Sequence, residues 1–328
     1  MSPGTYLNEI KKEGNLSCLT EIVLLGFSDV QNMWILLFWL VLMFYLVTLS
    51  GNSILLILTV ANPCLHTPMY FFLCNLSFLE IGYTSTIIPK MLQHLWMENQ
   101  AISFGGCGVQ MYFFILFGIT ECCLLCVMAY DRYIAICKPL QYAFLMSLRE
   151  CAQLAAISWA IGILVAFGQS ISIFTLPFCG PNEISHFFCD VLPVLRLATT
   201  NTFKNEVAVA TVTVFFILVP FLLILLSYIF IISSILIMPS AQNRHKAFST
   251  CSSHLIVVSL FYGTVTFTYI RPKSVYSLDS DRILSLLYTV VTPAFNPIIY
   301  SLRNKEIKAA FRKSIERKQA SLVVPSTS

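Results

Sequence analysis

The sequence predicts an all-α protein, a bundle of seven membrane-crossing helices. Three observations predict it. Of 328 residues, 57% are apolar and only 11% are charged, against about 45–50% and about 25% in a soluble domain. Seven apolar stretches each reach the roughly 20 helical residues that a hydrocarbon core about 30 Å thick demands. Basic residues gather near the C-terminus, where Arg303 to Lys318 holds seven Lys/Arg against two Glu. So few charges cannot coat water-soluble domains of this length, which excludes a cytosolic enzyme. A net charge of +4 scattered through apolar sequence is no phosphate-binding footprint, so no nucleic-acid partner is expected. The 26 Phe and 14 Tyr exclude a chain that stays disordered and solvated. Lipid is the expected surrounding.

The chain divides into an N-terminal tail (1–32), a seven-helix domain (33–302) and a C-terminal tail (303–328). In the tail, Asn15-Leu16-Ser17 is a glycosylation acceptor. Span one is expected from Met33 to Val60, apolar apart from Ser50-Gly51-Asn52-Ser53. No apolar signal segment precedes Met33, so span one is expected to act as the signal anchor. Span two runs from Pro68, suited to a first helical turn, to Trp96. It contains a second acceptor pattern, Asn75-Leu76-Ser77, which no glycosylating enzyme reaches inside a membrane. Span three is expected over Gly106 to Cys137, span four over Cys151 to Leu176, and span five over Phe203 to Met238 with Pro220 inside. Span six follows from Lys246 to Ile270, and span seven from Ile283 to Leu302 with Pro293 and Pro297. Interior prolines are tolerated in membrane helices because neighbours re-satisfy the freed carbonyls. An odd number of spans puts the termini on opposite sides. The basic tail places the C-terminus in the cytoplasm and the N-terminus outside. A multi-pass plasma membrane protein is expected.

The 12 cysteines do not read as a secreted scaffold. Eight lie in or beside apolar runs, where Cys behaves as a small hydrophobe. Only Cys18, Cys107, Cys179 and Cys189 sit in more polar connections, so few bridges are expected. His186-x-x-Cys189-Asp190 has a spacing that could hold a soft metal only if Cys189 is a free thiolate; no metal or cofactor is expected.

Ionisable groups at membrane depth are costly, so each is a functional candidate. Glu80 lies 12 residues after Pro68 and Glu121 lies 11 before Arg132, about 16–18 Å from the same membrane face at 1.5 Å per residue. Asn52 and Asn296 reach a similar depth. This cluster could hold a small cation, share a proton, or fix helix packing as a neutral network. Asp131-Arg132-Tyr133, at the end of span three, is a weak signal alone.

The combination is specific. Met128-Ala129-Tyr130-Asp131-Arg132-Tyr133-Ile134-Ala135-Ile136-Cys137-Lys138-Pro139-Leu140 closes span three. Lys246-Ala247-Phe248-Ser249-Thr250-Cys251-Ser252-Ser253-His254-Leu255 opens span six, and Asn296-Pro297-Ile298-Ile299-Tyr300 ends span seven. With Gly51-Asn52 and Pro68-Met69-Tyr70-Phe71-Phe72-Leu73, the chain from Leu24 to Lys313 closely resembles the olfactory receptors among rhodopsin-like G protein-coupled receptors. It is closer to their class II branch.

The resemblance implies an odorant receptor that activates a stimulatory, olfactory-type G protein and raises cAMP. It implies that Asp131 holds Arg132 at rest, and that Arg132 meets the G protein when span six swings outward. Asp131, Arg132, Tyr133, Tyr228, Lys246, Asn296, Pro297 and Tyr300 match the activation positions, and a short amphipathic helix is implied after span seven. Cys107 and Cys189 match the family's disulfide. The family's second bridge would join Cys179 to the position of Thr199, so that bridge is impossible. Cys179 is then either an unpaired thiol or a partner for Cys18, should the tail lie over the loop. Matching odorant positions are Met111, Phe114, Ile115, Gly118, Ile119 and Cys122 in span three and Val209, Val212, Thr213 and Phe216 in span five. Span six adds Tyr262, Val265, Thr266 and Tyr269, and span seven adds Leu286 and Thr289. Amine receptors carry an acid where this chain has Phe114, so a cationic ligand is disfavoured. Such a lining suits a small volatile molecule with at most one or two hydrogen-bonding groups.

A channel or transporter is the rival class. It lacks support: no internal repeat is visible, and two embedded acids are too few for a charged-ring pore. Neither GxSxG nor HExxH occurs, and no enzyme is expected.

Overall fold

The computed structural model describes residues 19–27, 33–97, 100–270, 278–303, 307–313 and 316. Asn15 and Cys18 lie outside them. So do the side chains of Lys246, Thr250, Ile270, Leu278, Asp279 and residues 301–303, whose helices are otherwise described.

Among the described residues, seven helices are long and apolar enough to cross a membrane: Trp34–Ala61, Pro68–Trp96, Phe104–Cys137, Leu148–Phe174, Phe203–Ile237, Ala241–Tyr269 and Ser280–Tyr300. They are numbered spans one to seven. Their outward faces stay apolar, as with Ile57 in span one and Leu164 in span four, 65% and 70% exposed. Lipid is as apolar as leucine, so these faces gain nothing by packing; close contact and polar pairing hold the helices together instead. One contact needs glycine. A Cβ at Gly51 would stand 2.9 Å from the Pro297 ring, so only a glycine lets spans one and seven approach this closely.

Four spans begin earlier than the hydrophobic pattern predicts, and in three of them, spans three, four and six, a serine caps the helix. The Ser103 hydroxyl accepts from Gly106 N–H at 3.1 Å, Ser147 from Glu150 N–H at 3.4 Å, and Ser240 from Asn243 N–H at 3.4 Å. A hydroxyl at this position satisfies an N–H that lacks a carbonyl partner. Ser147 and Glu150 also have the capping-box spacing. Span six thus starts at Ala241 rather than Lys246.

Two spans are not regular. Span five widens to a π-turn at Val214–Leu218 just before Pro220, and span seven does the same at Leu287–Val291 just before Pro293. A proline lacks the N–H for a helical bond and its ring crowds the carbonyl four residues back, so the preceding turn opens. Thr292 Oγ1 donates to Leu287 O at 3.0 Å and re-satisfies one loosened carbonyl. After span seven, residues 307–313 are helical, with Ile307 and Ala310 buried and Lys308, Arg312 and Lys313 exposed.

The tail is not merely a tail. Strand β1 (Glu21–Leu24) lies between β2 (Ala101–Ser103) and β3 (Glu183–Ile184) in a three-stranded sheet. It pairs antiparallel with β2 (Ile22↔Ile102) and parallel with β3 (Val23↔Glu183). Ile22 and Leu24 are fully buried. The sheet closes one end of the bundle, and no long-range strand pairing of this kind is readable from a 3-residue apolar pattern.

Candidate functional site

At the sheet-capped end, a disulfide joins Cys107 at the start of span three to Cys189 in the loop between spans four and five, with Cα atoms 5.5 Å apart. Cys189 is therefore no thiolate ligand. Gln110 ties the same junction twice, accepting from Cys189 N–H at 2.9 Å and donating to Thr86 O at 3.1 Å. This holds the loop down over the bundle.

Beneath the loop lies a cavity of about 80 Å³. Its walls are Tyr83 from span two; Phe114, Ile115, Gly118, Ile119 and Cys122 from span three; and Gln169 from span four. Val191 of the loop, Val209, Val212, Thr213 and Ile217 of span five, Phe261, Val265 and Tyr269 of span six, and Tyr288 of span seven complete them. Thr213 spends its hydroxyl on Val209 O at 2.9 Å, so the surface offered is overwhelmingly apolar. At Gly118 an added Cβ would meet nothing within 4 Å: the missing side chain is part of the space.

The structure brings together 10 of the 16 sequence-assigned lining residues. The other six stand elsewhere for physical reasons. Met111 is fully buried in the core. Tyr262 points below the cavity, donating its hydroxyl to Cys122 O at 3.0 Å and stacking on Phe221 at 5.4 Å. In span five the face runs Val209, Val212, Thr213, then Ile217 rather than Phe216, because the π-turn adds a residue to that turn. In span seven the π-turn presents Tyr288, while Leu286 and Thr289 fall outside the lining and Thr289 Oγ1 bonds Ser285 O at 2.6 Å. Thr266 also stands outside, its hydroxyl oxygen buried without a hydrogen-bond partner among the described residues. Sequence reasoning missed Tyr83, Gln169, Val191, Ile217, Phe261 and Tyr288. The prolines were the available signal for Ile217 and Tyr288. Nothing local marked Gln169 or Val191.

The loop is latched to spans six and seven by polar contacts. Asp190 Oδ1 accepts from its neighbour Val191 N–H and from the Tyr269 hydroxyl, both at 2.7 Å. His186 Nε2 meets Ser285 Oγ at 3.1 Å, which meets the Tyr288 hydroxyl at 3.2 Å. Arg282 Nε donates to Ser185 O at 3.3 Å. Burial pushes the Asp190 carboxyl up to about 6, against the pull of its two donors. Burial, helped by the Arg282 charge, pushes His186 down to about 3. The loop histidine is thus neutral at pH 7.

Midway along the bundle, Glu80 accepts from Asn52 Nδ2 at 2.9 Å and from Asn296 Nδ2. Asn52 also bonds Thr48 O at 3.1 Å. Glu121 is equally buried, at 1% exposure, but its Oε1 has no hydrogen-bond partner among the described residues. The four-residue cluster expected from depth is therefore three bonded residues with Glu121 apart. Asn75 is internal: its Oδ1 accepts from Trp159 Nε1 at 3.1 Å.

At the opposite end, Arg132 Nη2 pairs with Asp131 Oδ2 at 3.2 Å. Asp131 Oδ1 accepts from the Tyr142 hydroxyl at 2.9 Å. Tyr142 lies in a short helix, Tyr142–Leu145, after span three, and burial raises its hydroxyl pKa. Tyr228 bonds His254 Nδ1 at 2.7 Å, joining spans five and six. Tyr300 is buried, with no hydrogen-bond partner for its hydroxyl among the described residues. Tyr133 packs its ring against Phe230 at 6.3 Å.

A family profile described as "Olfactory receptor" matches residues 41–318. Among curated human (Homo sapiens) proteins, the chain is 53% identical to olfactory receptor 10P1 over 308 residues, which cover 94% of this chain and 98% of that receptor. It is 54% identical to olfactory receptor 10C1 over 92% of this chain and 97% of that receptor. It is 55% identical to olfactory receptor 10A4, covering 92% and 96%.

Proposed function

The chain belongs to the olfactory receptor family, and from that premise we propose how its two ends divide the work. As a member it is a G protein-coupled receptor of the plasma membrane that responds to odorants; it is not an enzyme. The finer reading is ours. The odorant is a small, mostly apolar volatile molecule held in the cavity between span three and spans five to seven, under the bridged loop. The observation that carries this is the lining: residues from six spans and the loop converge on one space, whose wall at Gly118 is left open. Among the described residues no acid lines that wall, which disfavours a cationic ligand.

The basic tail and the disulfide at the other end support a C-terminus in the cytoplasm and an N-terminus outside. The Asp131–Arg132 pair is the resting latch. A ligand that binds a second state better shifts the population towards it. In that state span six moves outward, Tyr228 leaves His254 and joins Tyr300, and Arg132 with Tyr133 and Lys246 meets a stimulatory, olfactory-type G protein. Asn52, Glu80, Glu121, Asn296 and Pro297 form the joint between the halves: Asn52, Glu80 and Asn296 bond together, and Glu121, outside that trio, leaves a carboxylate oxygen for a small cation. Asn15 is the glycosylation site. A cAMP reporter in transfected cells, challenged with a chemically diverse odorant panel, tests the reading. Small apolar odorants should raise cAMP. A response confined to amines would overturn the ligand assignment.

A further inference from the structure

The cavity wall holds few polar groups, and the hydrogen bonds they already make decide what each can still offer a ligand. Tyr269 of span six donates its hydroxyl proton to Asp190 Oδ1 at 2.7 Å. Asp190, its carboxyl near 6, is a carboxylate at pH 7 and can only accept. The Tyr269 oxygen therefore keeps lone pairs, but no proton, for a molecule in the cavity it lines.

Tyr288 of span seven is the opposite case. His186 Nδ1 accepts from Phe188 N–H at 3.4 Å. A neutral imidazole carries one proton, so here it sits on Nε2 and is donated to Ser285 Oγ at 3.1 Å. Ser285 Oγ has one other partner among the described residues, the Tyr288 hydroxyl at 3.2 Å, and gives its own proton there. The Tyr288 oxygen is thereby occupied and its proton is left over: among the described residues no carbonyl or carboxylate oxygen accepts it. The Tyr269 and Tyr288 hydroxyls adjoin, and both residues line the cavity. One corner of an apolar wall thus pairs an acceptor with a donor.

We propose that this corner reads a hydroxyl group, so that the preferred odorants are small apolar alcohols. The oxygen of an alcohol accepts from Tyr288 while its proton goes to Tyr269. An aldehyde or ether of the same skeleton only accepts, so it keeps the Tyr288 bond and leaves the Tyr269 oxygen unanswered. Gln169, on the span-four wall, carries both donors and an acceptor and makes no such choice. The inference rests on the proposed odorant cavity and deepens it by naming the polar group of the ligand.

The test uses the full-length receptor in the cAMP reporter. It compares the alcohol, the aldehyde and the methyl ether of one carbon skeleton, over several skeletons, with potency corrected for surface level. One extra hydrogen bond should make each alcohol about three- to tenfold more potent than its aldehyde or ether. Equal potency, or a preferred aldehyde, overturns the proposal, and this comparison needs no variant to fold. Tyr269→Phe removes the acceptor and should bring the alcohol down to the level of the aldehyde. Any loosening of the Asp190 contact acts on both ligands and cancels in their ratio. Tyr288→Phe removes the shared donor and should weaken both ligands while keeping that ratio. A ratio that survives Tyr269→Phe overturns the assignment. A receptor silent to every skeleton overturns the cavity reading and this one together, whereas a responding receptor that treats alcohol and aldehyde alike overturns this one only.

Discussion

The two halves of this bundle are built on opposite principles. The loop-capped half leaves space: its cavity is walled by Phe114, Val209, Val265 and their apolar neighbours, and its polar groups are turned away into latches such as Asp190–Tyr269. The Arg132 half turns charge inward. Asp131 is fully buried beside an arginine with 14% side-chain exposure, and Tyr228 and His254 bond across two spans. An apolar cavity recognises a hydrophobic molecule by area and shape, with few polar contacts to fix its orientation. A buried ion pair is poor glue, because desolvation offsets its attraction, yet breaking it leaves an uncompensated charge. Such a pair suits a contact that must exchange partners. The difference teaches that ligand sensing and coupling can be altered separately.

Arg132→Ala should break the comparison most completely. Ligand-driven cAMP should vanish while surface expression stays near that of the unaltered receptor. An undiminished dose–response, corrected for surface level, would remove Arg132 from coupling.

Gly118→Leu should do the reverse, leaving basal coupling intact and shifting potency by tenfold or more. The new side chain enters open space, so the effect is lost volume rather than misfolding. Ile57→Leu, on the lipid face at 65% exposure, is the control that should change nothing. Unchanged potency in Gly118→Leu would place the ligand elsewhere.

A subtler contrast lies within the loop. Asp190 has a folded pKa raised to about 6, so its stability contribution is present at low pH and lost as pH rises through about 6. His186 has a folded pKa lowered to about 3, so its contribution is present above about 6.5 and falls away as pH drops from there towards 3. Between pH 7.5 and 5 the two oppose. The purified receptor should show only a small fall in Tm over that range. His186→Asn should turn the fall into a rise, and Asp190→Asn should steepen it. Parallel pH profiles in all three would refute the assignment.

Thr266→Val should have the smallest effect, below about twofold in potency. It removes a hydroxyl with no hydrogen-bond partner among the described residues, and its neighbour Val265, not Thr266, lines the cavity. Deleting an unpaired polar group is close to neutral. A tenfold loss for odorants carrying an acceptor would put Thr266 back on the ligand.

The sequence by itself determined the seven spans and their order. Inside lipid every backbone hydrogen bond must be made locally, so about 20 apolar residues define a helix whatever surrounds it. Serines 103, 147 and 240 could have set three start points too, since capping is equally local. Tertiary structure decided what depth and period leave free. Helix rotation separates Val265 from Thr266 as a wall residue, and it is set by packing against other spans. The turns widened by Pro220 and Pro293 replace Phe216 with Ile217 and bring Tyr288 to the cavity. The pairing of Glu21–Leu24 with strands about 80 and 160 residues away, which makes a tail into a roof, depends on contacts that only the folded bundle brings within reach, because closing such long loops costs entropy that local pattern cannot repay.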